Sequence, residues 1–378
     1  MLKPFRVAVP QEQLDDLKRR LSATRWPDRE TVPDWEQGAP LAFVQDICNY
    51  WRDEYDWRRC EVMLNSHDQF TTEIDGLEIH FLYVRSPHAD ALPLLLTHGW
   101  PGSVLEFVKC IDPLTDPAHH GGDAKDAFHL VIPSLPGVGF SEHPQETGWA
   151  ADRVAAAWIE LMVRLGHTRW VAQGGDWGSM VTEAIGRIAP PQCAGIHVNM
   201  PIVFPTREDA ASATPAELAA MMTLKEYNET GNGYMQQQSS RPQTLAYGLT
   251  DSPAGQAAWI LEKFMAWSDN DGDPRSTFTI DELLDNVMLY WLNACAGSSA
   301  RLYWDTSRFY QPAAGSIATS TGISIFPKEL FRPSRRWAER RFTNIGFWNE
   351  HDRGGHFAAF EQPQLFVRDM RDCFRPMR

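Results

Sequence analysis

Residues 174–178 read Gly-Gly-Asp-Trp-Gly. An apolar, β-prone run, Trp170-Val171-Ala172-Gln173, leads into them, and residues 179–188 leave with helical spacing. A strand, a sharp turn and a helix form the setting in which a nucleophile is held at the tip of an elbow. The three glycines suit a turn whose strained backbone and close strand–helix approach leave no space for side chains. The residue at the tip is an aspartate, where such elbows commonly carry serine. A carboxylate, with an ordinary pKa of about 4, is ionised at neutral pH and needs no base to activate it. It can attack an sp³ carbon and form an ester. Asp176 therefore points to an alkyl-enzyme intermediate rather than to protease or lipase chemistry.

Two further segments supply the partners that such a nucleophile needs. Residues 94–102, Leu-Leu-Leu-Thr-His-Gly-Trp-Pro-Gly, run from a buried strand into a tight loop. That loop places the backbone N–H of Trp100 to form an oxyanion hole with the N–H of Trp177, the residue after the nucleophile. Residues 354–361, Gly-Gly-His-Phe-Ala-Ala-Phe-Glu, follow the apolar run Ile345-Gly346-Phe347-Trp348. His356, on a loop after a last strand, is the expected general base. The orienting acid belongs between Asp176 and His356. Glu350 and Asp352 stand too near the histidine for a helix and a strand to intervene. Glu329, just past Ile323-Ser324-Ile325-Phe326-Pro327, leaves room for a helix (333–341) and a strand (343–348), and is taken as the acid.

With these residues in place the chain resembles the epoxide hydrolases of the microsomal type, within the α/β-hydrolase superfamily. Five stretches carry the resemblance nearly end to end: Pro4-Phe5-Arg6-Val7 through Thr24-Arg25-Trp26-Pro27-Asp28, His98 to Ser103, Gly174 to Gly178, Asp251-Ser252-Pro253 through Ile260-Leu261-Glu262-Lys263-Phe264, and Gly354 to Glu361. The first and fourth are not required by hydrolase chemistry in general. The resemblance implies a triad of Asp176, Glu329 and His356, and two lid tyrosines that hydrogen-bond the epoxide oxygen. Tyr234 and Tyr310 match those positions, with Tyr303 and Tyr227 as alternatives. It further implies an Asp-ester route from epoxide to vicinal diol, in xenobiotic or natural-product metabolism, with a small-molecule epoxide as substrate and neither metal nor organic cofactor. A hydrolytic haloalkane-type dehalogenase on the same elbow, and a non-catalytic ligand-binding hydrolase fold, are the rival readings.

Composition fits an intracellular enzyme. The chain has 378 residues, a net charge of −14 and 15 tryptophans. That length allows one large domain with an inserted lid. The acidic balance argues against nucleic acid, which needs basic faces. Six scattered cysteines, without a Cys-x-x-Cys pair, read as free thiols of a reducing compartment. No apolar run approaches the roughly 20 residues of a membrane span, and no signal peptide is visible. A soluble, cytoplasmic protein is expected, with a homodimer left open.

The elements that must hold these residues are legible as patterns. Residues 1–85 form an N-terminal region expected to wrap core and lid, with helical spacing over 11–21 and 41–55. A strand pair over 70–74 and 77–84 turns at Asp75-Gly76, a hairpin signal. Over 86–202, strands (93–97, 128–132, around 171, 195–199) alternate with helices, which predicts a parallel α/β sheet. Residues 203–320 lack strand alternation and read as a helical lid, with helices over 215–227, 254–267 and 280–292. Thr214 and Pro215 open the first of these as cap and first-turn residue. Residues 321–378 close the core. The fold class is thus α/β, a mostly parallel α/β-hydrolase sheet with a helical lid before the last strands and an N-terminal arm.

Overall fold

The computed structural model describes residues 1–309 and 315–378. Its centre is one mixed sheet, which among the described residues has nine strands: β1 (Lys3–Phe5), β2 (Gln69–Ile74), β3 (Leu77–Val84), β4 (Leu92–Thr97), β5 (Phe128–Pro133), β6 (Trp170–Gly174), β7 (Cys193–Val198), β8 (Thr321–Ile325) and β9 (Ile345–Glu350). Their spatial order is β1-β2-β3-β5-β4-β6-β7-β8-β9. β1, β2 and β3 pair antiparallel, as do β3 and β5, whereas β5 through β9 run parallel. The central parallel strands are covered on both faces, so β4 and β6 read as near-continuous apolar runs rather than alternating. Leu94, Leu95 and Leu96 of β4 and Val171 and Ala172 of β6 are fully buried. This is the α/β-hydrolase arrangement that the sequence resemblance implied.

Local signals fix many boundaries. The hairpin between β2 and β3 turns where Asp75 and Gly76 both have positive φ, 51° and 75°, with Ile74 paired to Leu77. Thr214 and Glu217 form a capping box at the start of helix Pro215–Glu226, with Pro215 in its first turn. Thr279 and Glu282 do the same for helix Ile280–Trp291. Two expectations shift. The strand β1 was not foreseen, because its three residues are too few to show a period. The helix expected over 333–341 is the single turn Arg335–Ala338.

Between β7 and β8 the chain is helical, through Gly233–Ser240, Pro253–Trp267, Ile280–Trp291 and Cys295–Phe309 among others. The N-terminal helices brace this insertion. The Tyr55 hydroxyl and the Arg59 guanidinium both reach Asp285, at 2.6 and 2.7 Å, and the Trp51 indole N–H points at the Met288 sulfur. Arg20 pairs with Asp251 at 2.9 Å. These bonds tie residues far apart in sequence and hold the insertion over the C-terminal ends of the parallel strands, where open α/β sheets place their sites.

Candidate active site

Asp176 stands between the end of β6 and helix Trp177–Ile188, with φ +51° and ψ −125°. Such a conformation costs a non-glycine residue about 1–3 kcal/mol and persists only where its surroundings enforce it. The flanking glycines do so. A Cβ on Gly174 would lie 2.0 Å from the Gly178 carbonyl oxygen, and one on Gly178 would lie 1.9 Å from the Thr97 carbonyl oxygen. β6, the helix and β4 are thereby packed backbone to backbone, which thrusts Asp176 out of the sheet edge.

The partners converge on it from three separate loops. The Trp100 N–H, on the loop after β4, donates to Asp176 Oδ1 at 2.7 Å. A Cβ on Gly99 would fall 2.3 Å from Asp176 Cβ and Oδ1, so glycine is required for that approach. Trp177 opens the following helix, where a backbone N–H has no carbonyl of its own helix to bond. His356 follows β9, with Nε2 3.4 Å from Asp176 Oδ2 and Nδ1 2.8 Å from Glu329 Oε1. Glu329, just past β8, is fully buried, and its Oε1 also accepts the Leu330 N–H. The carboxylate on Nδ1 fixes the tautomer that leaves Nε2 facing Asp176. Burial acts to lower the His356 pKa, but the Glu329 and Asp176 carboxylates outweigh it and raise the pKa well above the ordinary value.

The helical insertion contributes aromatic walls. The Tyr234 ring stacks on Trp100 with centroids 5.1 Å apart, and its hydroxyl lies 3.1 Å from that of Tyr227. Tyr303 meets Trp177 edge to face at 4.7 Å and Trp100 at 5.6 Å. Its hydroxyl is buried beside the Trp177 and Tyr234 side chains. Burial first, then the neighbouring phenols Tyr303 and Tyr227 and after them Asp176, raises the pKa of Tyr234 well above the usual value. Burial and then Asp176 do the same for Tyr303, so both remain protonated donors. Tyr310 lies outside the described residues. Both alternatives from sequence, Tyr227 and Tyr303, stand beside Tyr234, and Tyr303 also packs against Trp177 and Trp100.

Three residues of the site surroundings escaped the sequence reading. The carbonyl of Trp267 accepts the His356 N–H at 2.9 Å, and its ring faces the imidazole at 5.0 Å. On helix Ile280–Trp291, Asn286 Nδ2 donates to the Pro101 carbonyl at 2.7 Å while its Oδ1 accepts from Ser103, and the Tyr290 hydroxyl donates to the Gly102 carbonyl at 2.7 Å. The insertion thus clamps the loop that carries the Trp100 N–H. An asparagine and a tyrosine one turn apart, within the apolar C-terminal half of that helix, are the sequence trace of this contact.

Residues 2–107 match the family described as epoxide hydrolase N terminus, and residues 93–270 match the alpha/beta hydrolase fold. Over its whole length the chain is 56% identical to a Stigmatella aurantiaca protein that carries a provisional epoxide hydrolase name, covering 86% of that protein. It is 33% identical to epoxide hydrolase 1 of Sus scrofa, with 98% of this chain and 88% of that one aligned. The chain belongs to the epoxide hydrolase family. The epoxide hydrolase structure from Aspergillus niger superposes with a TM-score of 0.88 at 33% identity, over 100% of this chain and 96% of that one. The juvenile hormone epoxide hydrolase of the silkworm Bombyx mori gives 0.86 at 32%, over 100% and 94%. Epoxide hydrolases act on small-molecule epoxides. Among the described residues, no group of three or more His, Cys, Asp or Glu could hold a metal ion, and no helix is long and apolar enough to cross a membrane. All six cysteines are free thiols.

Proposed function

We propose that this epoxide hydrolase converts epoxides to vicinal diols through an ester on Asp176. One observation carries the reading: one Asp176 oxygen accepts the Trp100 N–H, the other faces His356 Nε2, and Glu329 holds the far side of the imidazole. An Asp176 oxygen attacks an epoxide carbon. The C–O bond breaks with its electron pair passing to oxygen, which takes a proton from Tyr234 or Tyr303. A phenol suits this step, being protonated at rest yet acidic enough to share its proton with an alkoxide.

The second step is hydrolysis of the ester. Esterification neutralises Asp176, one of the two carboxylates that raise the His356 pKa, so the imidazole gives up its proton more readily once the ester exists. His356 then deprotonates a water, which adds to the carbonyl carbon of Asp176. Glu329 stabilises the imidazolium and keeps its orientation. The oxyanion rests on the N–H groups of Trp100 and Trp177, an arrangement whose removal typically costs about 3–4 kcal/mol. Collapse frees the diol, the acid proton passing to the departing alkoxide, and the imidazolium proton returns to the phenolate. Xenobiotic or natural-product metabolism is the setting we propose.

Incubation with styrene oxide and, separately, with a bromoalkane tests the reading. Diol from the first is expected. Bromide from the second without diol from the first would make the protein a dehalogenase, and neither product would make it a binding protein.

A further inference from the structure

The stretch Ile260-Leu261-Glu262-Lys263-Phe264 on helix Pro253–Trp267 has no part in the reaction as described. Yet Lys263 is only 6% exposed. A lysine is almost never so buried unless something pairs with its charge. Its ammonium sits 4.5 Å from the centroid of the Tyr234 ring and 5.7 Å from that of Trp267. Glu262 is its ion-pair partner, and the two differ in exposure: the Glu262 side chain is 30% exposed and that of Lys263 8%. Water screens the carboxylate more than the ammonium, so at Tyr234 the cation acts more strongly than its counter-ion.

We propose that Lys263 is a positioning residue for ring opening: its ammonium, held against the π face of Tyr234, favours the negative charge that develops on the phenol oxygen as Tyr234 shares its proton with the leaving alkoxide. The inference rests on the reading of Tyr234 as a proton donor. A cation over an aromatic face is attracted to the ring, and the attraction grows as the ring gains electron density. The other groups around Tyr234 do not supply this effect. Tyr227 and Tyr303 are neutral phenols, Asp176 is an anion that opposes the charge, and His356 stands behind Trp267. Trp100 and Trp267 close the remaining faces with uncharged rings.

Single-turnover alkylation by styrene oxide, followed by tryptophan fluorescence across the alkaline pH range, tests the proposal in Lys263→Met, Lys263→Arg, Glu262→Gln, Tyr234→Phe and the Lys263→Met/Tyr234→Phe double variant. Lys263→Met should slow alkylation about 5- to 30-fold and leave ester hydrolysis within about twofold. Its alkaline limb should move up by roughly half to one unit, because the phenolate has lost its cation. Lys263→Arg should restore most of the rate. Glu262→Gln removes the opposing charge and should move the limb the other way. In the Tyr234→Phe background, Lys263→Met should add little. A wild-type alkylation rate in Lys263→Met, limbs that move in the same direction in the Met and Gln variants, or full additivity in the double variant would each overturn the role of Lys263. If Lys263→Met does not fold, an unmoved limb in Glu262→Gln overturns it alone. A wild-type rate in Tyr234→Phe instead removes the donor reading beneath it.

Discussion

Replacing His356 by glutamine separates the two halves of the proposed reaction. The imidazole takes no part in alkylation, because the Asp176 carboxylate needs no base. It is needed for hydrolysis, where positioned general-base catalysis contributes about 10²- to 10⁴-fold, or roughly 3–5 kcal/mol of barrier. The ester should therefore form at close to the wild-type rate and decay that much more slowly, accumulating to one equivalent per chain. The substitution also strips a fully buried carboxylate, Glu329, of its ionic partner at 2.8 Å. Breaking such a pair costs up to about 3–5 kcal/mol, and a glutamine amide that still reaches Oε1 should recover part of it. A lowered but cooperative melting transition is thus expected, to be checked before the kinetics. Rapid mixing with styrene oxide, acid quench and intact mass spectrometry read the outcome, with peptide mapping to place the adduct on Asp176. Normal steady-state turnover by the variant, or failure of a folded variant to acquire any adduct, would refute the reasoning.

The first turnover in ¹⁸O-water should leave label in the Asp176 carboxylate rather than in the diol, since water attacks the enzyme's carbonyl; label confined to the diol would mean direct attack on substrate. Tyr234→Phe and Tyr303→Phe should each slow alkylation roughly 10- to 150-fold, the equivalent of one hydrogen bond of about 1.5–3 kcal/mol to a charged oxygen. Tyr310→Phe tests the other candidate from sequence, and stopped-flow traces in which Tyr310 mattered and Tyr303 did not would give the second donor role to Tyr310. Gly99→Ala drives a methyl group to 2.3 Å from Asp176 and should abolish turnover while costing about 1–3 kcal/mol of stability; an active alanine variant would mean the loop can withdraw without penalty. His80 is buried neutral between Ser134 and Gln69, and burial pulls its pKa down to about 3. Its folded pKa is depressed, so the unfolded chain binds the proton more readily. Stability should fall as the pH drops below about 6.5, by up to about 1.4 kcal/mol per unit from this residue, and level off near pH 3. Urea unfolding at pH 7.5 and 5 measures the slope, and His80→Gln should reduce it, leaving the share of the other buried histidines, His98 and His197.

The residues that meet at the candidate site are marked locally, and that is why they stand out in the sequence. An aspartate among three glycines, a His-Gly-Trp-Pro-Gly loop and a Gly-Gly-His turn each need a positive φ or a close backbone approach that few residues tolerate, so the composition of each segment betrays its geometry. The contacts at Gly174, Gly178 and Gly99 bear this out in distances of about 2 Å. Capping residues such as Thr214 and hairpin residues such as Asp75 and Gly76 are legible for the same reason. What acts across the fold left no such mark. The approach of Tyr303 to Tyr234 depends on how helix Cys295–Phe309 packs against Gly233–Ser240, which no local pattern of residues displays. The grip of Asn286 and Tyr290 on the Trp100 loop joins residues more than 180 positions apart. The ammonium of Lys263 over Tyr234 likewise exists only once two helices have docked. Backbone strain is specified by the residues that bear it, whereas a contact between helices is specified by everything that sets their packing.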